Sequence, residues 1–165
     1  MKTNLVIGVI GHRNSGKSTT WYELFEYNVR TGSNIRKLYL TETEYVEIFL
    51  VSGSPEEREI YVGDIIGNKK PRIVLCSMQY ISDVTDTLNF FVDNDYFLNM
   101  QWLNPGFSDQ NFVAHSDYLG IANRILALDS TLSIRNGKEN PLDRVQEIKD
   151  YIYGWANSRH LILID

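Results

Sequence analysis

A chain of 165 residues with 43% hydrophobic and 22% charged residues, 4 Pro and 11 Gly has globular composition and room for one domain, 1–165, which excludes a disordered chain and a two-domain enzyme. Sixteen Lys and Arg against 21 Asp and Glu leave a net charge of −5, so no global field draws the chain toward nucleic acid or an anionic membrane, and neither is expected as a partner. The single Cys76 excludes an internal disulfide; no stretch approaches the ~20 apolar residues of a membrane span, and no signal-peptide core is present, so a cytoplasmic location is expected.

Leu5 to Ile10 is a continuous apolar run rich in β-branched residues and predicts a short buried strand. Gly11-His12-Arg13-Asn14-Ser15-Gly16-Lys17-Ser18 follows at once and fills every fixed position of GxxxxGK[ST]. Thr19 to Phe25 then continues with helical spacing, with Trp21, Leu24 or Phe25, and Asn28 along one side. A loop between a strand and a helix N-terminus can turn successive backbone N–H groups toward a polyphosphate, and glycines at 11 and 16 permit the turns. In that arrangement Lys17 reaches the β- and γ-phosphates as the catalytic cation and Ser18 binds Mg²⁺. Arg13, Asn14, Ser15 and Thr19 complete the expected phosphate-contacting set, Arg13 through a charge-assisted contact or else as a solvated cation.

The segment 5–28 resembles the Walker A region of the P-loop NTPase superfamily. The resemblance implies a three-layer α/β fold with a mostly parallel sheet, binding ATP or GTP with Mg²⁺. Ile35 to Leu40 and Tyr45 to Val51 read as strands joined by four residues, too few for a parallel crossover, so an antiparallel hairpin is expected. That hairpin is similar to the one found at this point in small GTPases.

Ser54-Pro55-Glu56-Glu57 has a capping-box pattern and predicts a helix running through Ile60 and Ile65 to Gly67. A strand is expected from Pro71 to Cys76, a helix from Ser82 to about Asn94, a strand from Tyr96 to Leu103, and a helix over 117–135. Asn140-Pro141 opens a last helix with Val145, Ile148, Ile152 and Trp155 on one face, before a strand from His160 to Ile164.

The acidic residue that holds Mg²⁺ in hydrolytic P-loop sites has no clear counterpart, because the two candidate strands run into Ser52 and Ser77 and no DxxG is present. Asp165, Glu42, Glu44 and Asp64 are the alternative acids, and Gly53 or Ser54 can offer an N–H to a phosphate or simply cap a helix. Thr31 lies where a GTPase-like switch threonine would, as a second Mg²⁺ ligand. Gln79 is the candidate for orienting a catalytic water. At the position of the guanine-reading NKxD, Asn104 fits while Pro105 and Phe107 depart, so adenine or guanine stays open. Arg135-Asn136-Gly137-Lys138 is either a second anion-binding turn or a glycine-capped helix end. Arg58, Lys69, Lys70 and Arg72 cluster in sequence, short of an arginine-rich lid. His12, His115 and His160 lack metal-ligand spacing and Cys76 lacks a local partner, so neither a zinc site nor a thiol nucleophile is expected.

The function expected is slow hydrolysis of a bound nucleoside triphosphate by an NTPase or switch that relies on a protein partner. The alternatives are a nucleotide-holding interaction module and a kinase of a small acceptor.

Overall fold

A computed structural model describes residues 1–165 and shows an α/β architecture with seven strands and six helices. In chain order these are β1 (Asn4–Gly11), α1 (Lys17–Phe25), β2 (Arg36–Tyr39), β3 (Glu44–Val51), α2 (Pro55–Arg58), α3 (Val62–Ile66), β4 (Ile73–Gln79), α4 (Val84–Asp93), β5 (Tyr96–Leu103), α5 (Ile121–Leu126), β6 (Ser130–Arg135), α6 (Leu142–Ser158) and β7 (Leu163–Ile164). The sheet order is β2-β3-β4-β1-β5-β6, with β7 beside the start of β3. β3, β4, β1, β5 and β6 are mutually parallel, whereas β2 and β7 each run antiparallel to β3.

The hairpin expected from the four-residue connection is present, with Lys37 opposite Glu47 and Tyr39 opposite Tyr45. β4 lies between β1 and β3, so the strand hydrogen-bonded to β1 on that side is β4.

The apolar run of β1 is buried on both faces, which explains its lack of alternation. Val6 and Ile10 face one core layer with residues of α3, α4 and α5, while Leu5, Ile7 and Val9 face a second layer with residues of α1 and α6. Trp21 on α1 is fully buried in the second layer, where its indole N–H donates to Ser77 Oγ at 2.8 Å. This bond satisfies a polar atom that burial would otherwise leave costly.

α1 and α5, which follow the neighbouring strands β1 and β5, lie on opposite faces of the sheet. Such a reversal opens a crevice at the carboxyl ends of the strands, where open α/β sheets bind ligands. Here the crevice is bounded by the loops after β1, β3, β5 and β6.

Several elements differ from the sequence expectation. The region 117–135 is not one helix: Asp117 accepts from the N–H groups of Ala122 and Asn123, α5 covers only Ile121–Leu126, and Ser130–Arg135 joins the sheet as the edge strand β6. Leu132 packs partly buried against the first core layer while Ile134, two residues on and on the same face, is exposed at the sheet edge. The helix expected from Ser54 to Gly67 is two short helices, broken at Glu59, where φ is 53°. Val62 and Ile66, four apart, bury the second helix on their own. β4 continues past Cys76 to Gln79, so Ser77 is a buried mid-strand residue rather than a strand end. No helix is long and apolar enough to cross a membrane.

Candidate functional site

The loop after β1 closes back on itself through Asn14 at φ 57° and Gly16 at φ 108°, a backbone conformation open to glycine at little cost. Its polar groups are sorted by direction. The Asn14 and Ser15 carbonyls accept from Ser108 and Phe107 N–H at 3.1 and 3.0 Å, and the Gly11 carbonyl accepts from Tyr80 N–H at 2.9 Å. By contrast, no backbone carbonyl accepts from any N–H of residues 13–19; the first such bond is Thr20 N–H to Gly16 O at 3.2 Å. Unpaired N–H groups gathered at a helix N-terminus carry partial positive charge and suit an anion.

These amides border a cavity of about 600 Å³. Residues 13–19 form its floor, Ser52, Gly53, Ser54 and Glu57 one wall, and Phe107, Ser108, Gly137, Glu139, Pro141 and Arg144 the other. Arg13, Lys17 and Arg144 are its cations, set against Glu57 and Glu139.

Lys17 is 7% exposed and rests on the loop itself, donating to His12 O at 2.8 Å and Gly11 O at 3.3 Å. Burial holds its ammonium below its usual pKa, offset by Glu57 and Glu56; the Glu57 carboxylate stands 3.9 Å away. Ser18 and Thr19 are exposed on the cavity floor, as are Arg13 and Asn14, whereas Ser15 is buried. Gly11 lies at the strand end behind the floor.

Gln79 is opposite Gly11 in the sheet register but does not line the cavity, and its N–H donates to Glu56 Oε1 at 2.7 Å. Thr31 lies one layer behind the wall: its hydroxyl accepts from Ser52 N–H at 2.7 Å and Gly53 N–H at 3.4 Å. The wall amides are thus partly engaged by Thr31.

The alternative acids do not converge here. Asp165 hydrogen-bonds Tyr39 and Lys37 at the opposite end of the sheet, where Glu42 and Glu44 also lie in the hairpin, and Asp64 is exposed on α3 outside the cavity. Lys69, Lys70 and Arg72 precede β4 at that same far end and form no lid. Asn104 is occupied by the backbone of His115, donating to its carbonyl and accepting from its N–H, both at 2.9 Å. The 135–138 segment is not a second anion-binding turn: Arg135 pairs with Glu147, and Lys138 Nζ donates to the carbonyls of Phe107 and Asp109, bracing the wall.

Glu57 and Arg144 are not marked as site residues by the sequence, and Ser54 is marked only for its N–H or as a helix cap. Glu57, read as the acid of a capping box, faces Lys17, and Ser54 makes no side-chain cap bond. Ser54 Oγ is instead buried with no partner, on a residue that lines the cavity. Arg144 is 4% exposed with no carboxylate partner; its guanidinium donates to Thr20 Oγ1 at 2.5 Å and Gly16 O at 3.4 Å, and its Nε is unpaired. Burial pulls its pKa down to about 10. A signal for Arg144 was present, since 144, 148, 152 and 156 fall on one helical stripe and the other three are Ile, Ile and Ala.

Behind the wall, Glu56 is 9% exposed and holds three elements together, accepting from Gln79 N–H and from the Thr87 hydroxyl at 2.7 Å each. Desolvation raises its pKa above the ordinary 4.5, against the lowering effect of those bonds. A carboxyl with a raised folded-state value favours the fold fully below its unfolded pKa, and that contribution is lost as pH rises through the folded value. Glu56→Gln keeps an acceptor for Gln79 and removes the charge. Urea denaturation is expected to show the variant gaining stability relative to wild type above pH 4.5, with the difference shrinking toward acid; a constant difference from pH 4 to 8 would contradict this.

No protein-family model matches the chain, and no curated protein matches it.

Proposed function

We propose that the chain binds a nucleoside triphosphate with Mg²⁺ at the 11–18 loop, as a P-loop protein of small-GTPase-like type, and turns it over slowly as an NTPase or switch. The observation that carries this reading is the set of N–H groups from residues 13–19 that have no backbone acceptor and border a cavity with Lys17 at its floor. Phosphate oxygens are the acceptors such a loop suits, and Lys17 adds a charge-assisted bond. Arg144, buried with no carboxylate partner and with its Nε unbonded, supports the same reading, because an anion in the cavity compensates a cation that is otherwise costly to bury. Mg²⁺ fits the oxygen donors present: the Ser18 hydroxyl and the Glu57 carboxylate would hold it, with Thr31 one layer behind, and when bound it neutralises phosphate charge.

A nucleotide-holding module is a second reading, favoured by Gln79. Its side chain does not line the cavity, so the amide expected to orient a catalytic water stands outside it. In both readings a partner protein supplies what the cavity lacks, and Phe107, 64% exposed on the cavity wall, is available to such a contact.

Calorimetric titration with ATP and GTP, with and without Mg²⁺, followed by phosphate-release kinetics, tests the proposal. Saturable Mg²⁺-dependent binding of either nucleotide with slow release supports a switch, and binding with no release supports the module. Failure of both nucleotides to bind overturns both readings.

A further inference from the structure

Outside the cavity, the fold gathers three metal-ligating side chains that lie far apart in sequence. His12 comes from the loop after β1, and Asp109 and His115 from the segment between β5 and α5. One potential ligand atom from each lies within 4.8 Å of the other two, and all three residues are half-buried. His12 Nδ1 stands 3.5 Å from Asp109 Oδ1. Tetrahedral coordination with bonds of about 2.0–2.1 Å places ligand atoms roughly 3.3–3.5 Å apart, so this pair already has the separation an ion requires.

The atoms facing away from this point are anchored. His115 Nδ1 is 2.9 Å from the Ser116 carbonyl, which as acceptor fixes the proton on Nδ1 and leaves Nε2 with a lone pair; that Nε2 is buried and has no partner. His12 Nε2 is 3.0 Å from the Tyr118 hydroxyl, which leaves Nδ1 for the ion. Asp109 Oδ2 accepts from Gly106 N–H at 2.8 Å, which leaves Oδ1. Metal-ligating histidines are held in this way, by a hydrogen bond on the second ring nitrogen that selects the tautomer and aims the ring.

We propose that His12, Asp109 and His115 form a site for a first-row divalent transition ion of the Zn²⁺ class, with a fourth position open to water. Two imidazoles and a carboxylate suit such an ion, while a hard cation such as Mg²⁺ prefers oxygen. The His12 and His115 rings stack with centroids 4.4 Å apart and planes 13° apart. Lone pairs of parallel stacked rings do not converge, so ligation tilts the His115 ring out of this stack toward the point that His12 Nδ1 and Asp109 Oδ1 already face. The site requires no nucleotide, and although it shares His12 with the 11–18 loop, it does not rest on the function proposed above.

The test uses tag-free full-length protein with Zn²⁺ alone in calorimetry and Co²⁺ as a visible-absorption probe. One Zn²⁺ per chain is expected, together with Co²⁺ d–d bands of low coordination number, and both are lost in His115→Ala. Tyr118→Phe keeps the exposed ring with its Tyr80 and His115 contacts and removes only the hydroxyl that bonds His12, and it is expected to weaken Zn²⁺ binding by about 10–100-fold. His160→Ala is expected to bind as wild type. Ring ¹H–¹⁵N spectra of the unmutated protein give a readout independent of variant folding: stoichiometric Zn²⁺ shifts His12 and His115 and leaves His160 in place. Absence of stoichiometric binding, equal binding by wild type and His115→Ala, or shifts that spare His12 and His115 would each overturn the site.

Discussion

Lys17→Ala is expected to weaken binding of a Mg²⁺-nucleoside triphosphate by about 10–100-fold, the range that loss of one hydrogen bond to a charged group of roughly 1.5–3 kcal/mol implies. Folding should survive the change, for a physical reason visible at the cavity floor. The Lys17 ammonium is almost fully buried, and desolvation opposes its charge; its acceptors are loop carbonyls, of which Gly11 O keeps the Tyr80 N–H as a donor. Removing the side chain therefore takes away a desolvation cost along with the bonds it made. Calorimetry with ATP and GTP on both proteins, alongside thermal unfolding, separates the two effects. Unchanged affinity in a folded variant would remove Lys17 from the site, and a collapse of the fold would show its role to be structural.

A large loss of stability is expected from Gly137→Ala. A Cβ at 137 would meet Ser15 O at 2.5 Å, Phe107 N at 3.0 Å and Pro105 O at 3.1 Å, all of them backbone atoms. No side-chain rotation relieves the overlap, so the post-β5 segment or the 11–18 loop must move. Overpacking of this kind costs about 1–3 kcal/mol, and three backbone contacts place this substitution toward about 3 kcal/mol. The same displacement strains the Phe107 N–H to Ser15 O bond that holds the loop, so nucleotide affinity should fall with stability. Gly154→Ala is the matched control, since a Cβ there meets nothing within 4 Å. Chemical denaturation of the two variants measures the difference; equal midpoints would mean that the packing around 137 yields easily.

The parts of the fold that were legible in the sequence are those with short-range signatures. β1, the 11–18 loop and α1 are contiguous, and the four-residue connection after β2 dictates an antiparallel hairpin whatever surrounds it. β5 is legible because Asp95 and Asn104-Pro105 frame eight residues of which six are large and hydrophobic. The 117–135 segment failed because a short amphipathic helix followed closely by a half-buried edge strand leaves apolar residues at spacings that satisfy both periods. Among the site residues, 13–19 fell together because they are one loop, whereas Glu57 and Arg144 reach the cavity only once β3 and α6 are placed around it. The His12, Asp109 and His115 cluster was invisible for the same reason: ligand spacing in sequence reports sites built on one element, and this one joins two distant loops.

The cavity walls are attached to the rest of the molecule in unequal ways. On one side, Phe107 and Ser108 are hydrogen-bonded to the loop through their backbones, Gly137 N–H is bound to Pro105 O at 2.7 Å, and Lys138 clamps the segment from outside. On the other, residues 52–57 make no backbone hydrogen bond to the loop and approach it through the 3.9 Å pair of Lys17 and Glu57. Mechanically this is a vice with one jaw welded to its bed and the other held by a single light catch. The free jaw is tied from behind instead, by Thr31 to the Ser52 and Gly53 amides and by Glu56 to Gln79 and Thr87, so its position is set by those anchors and not by the loop it faces.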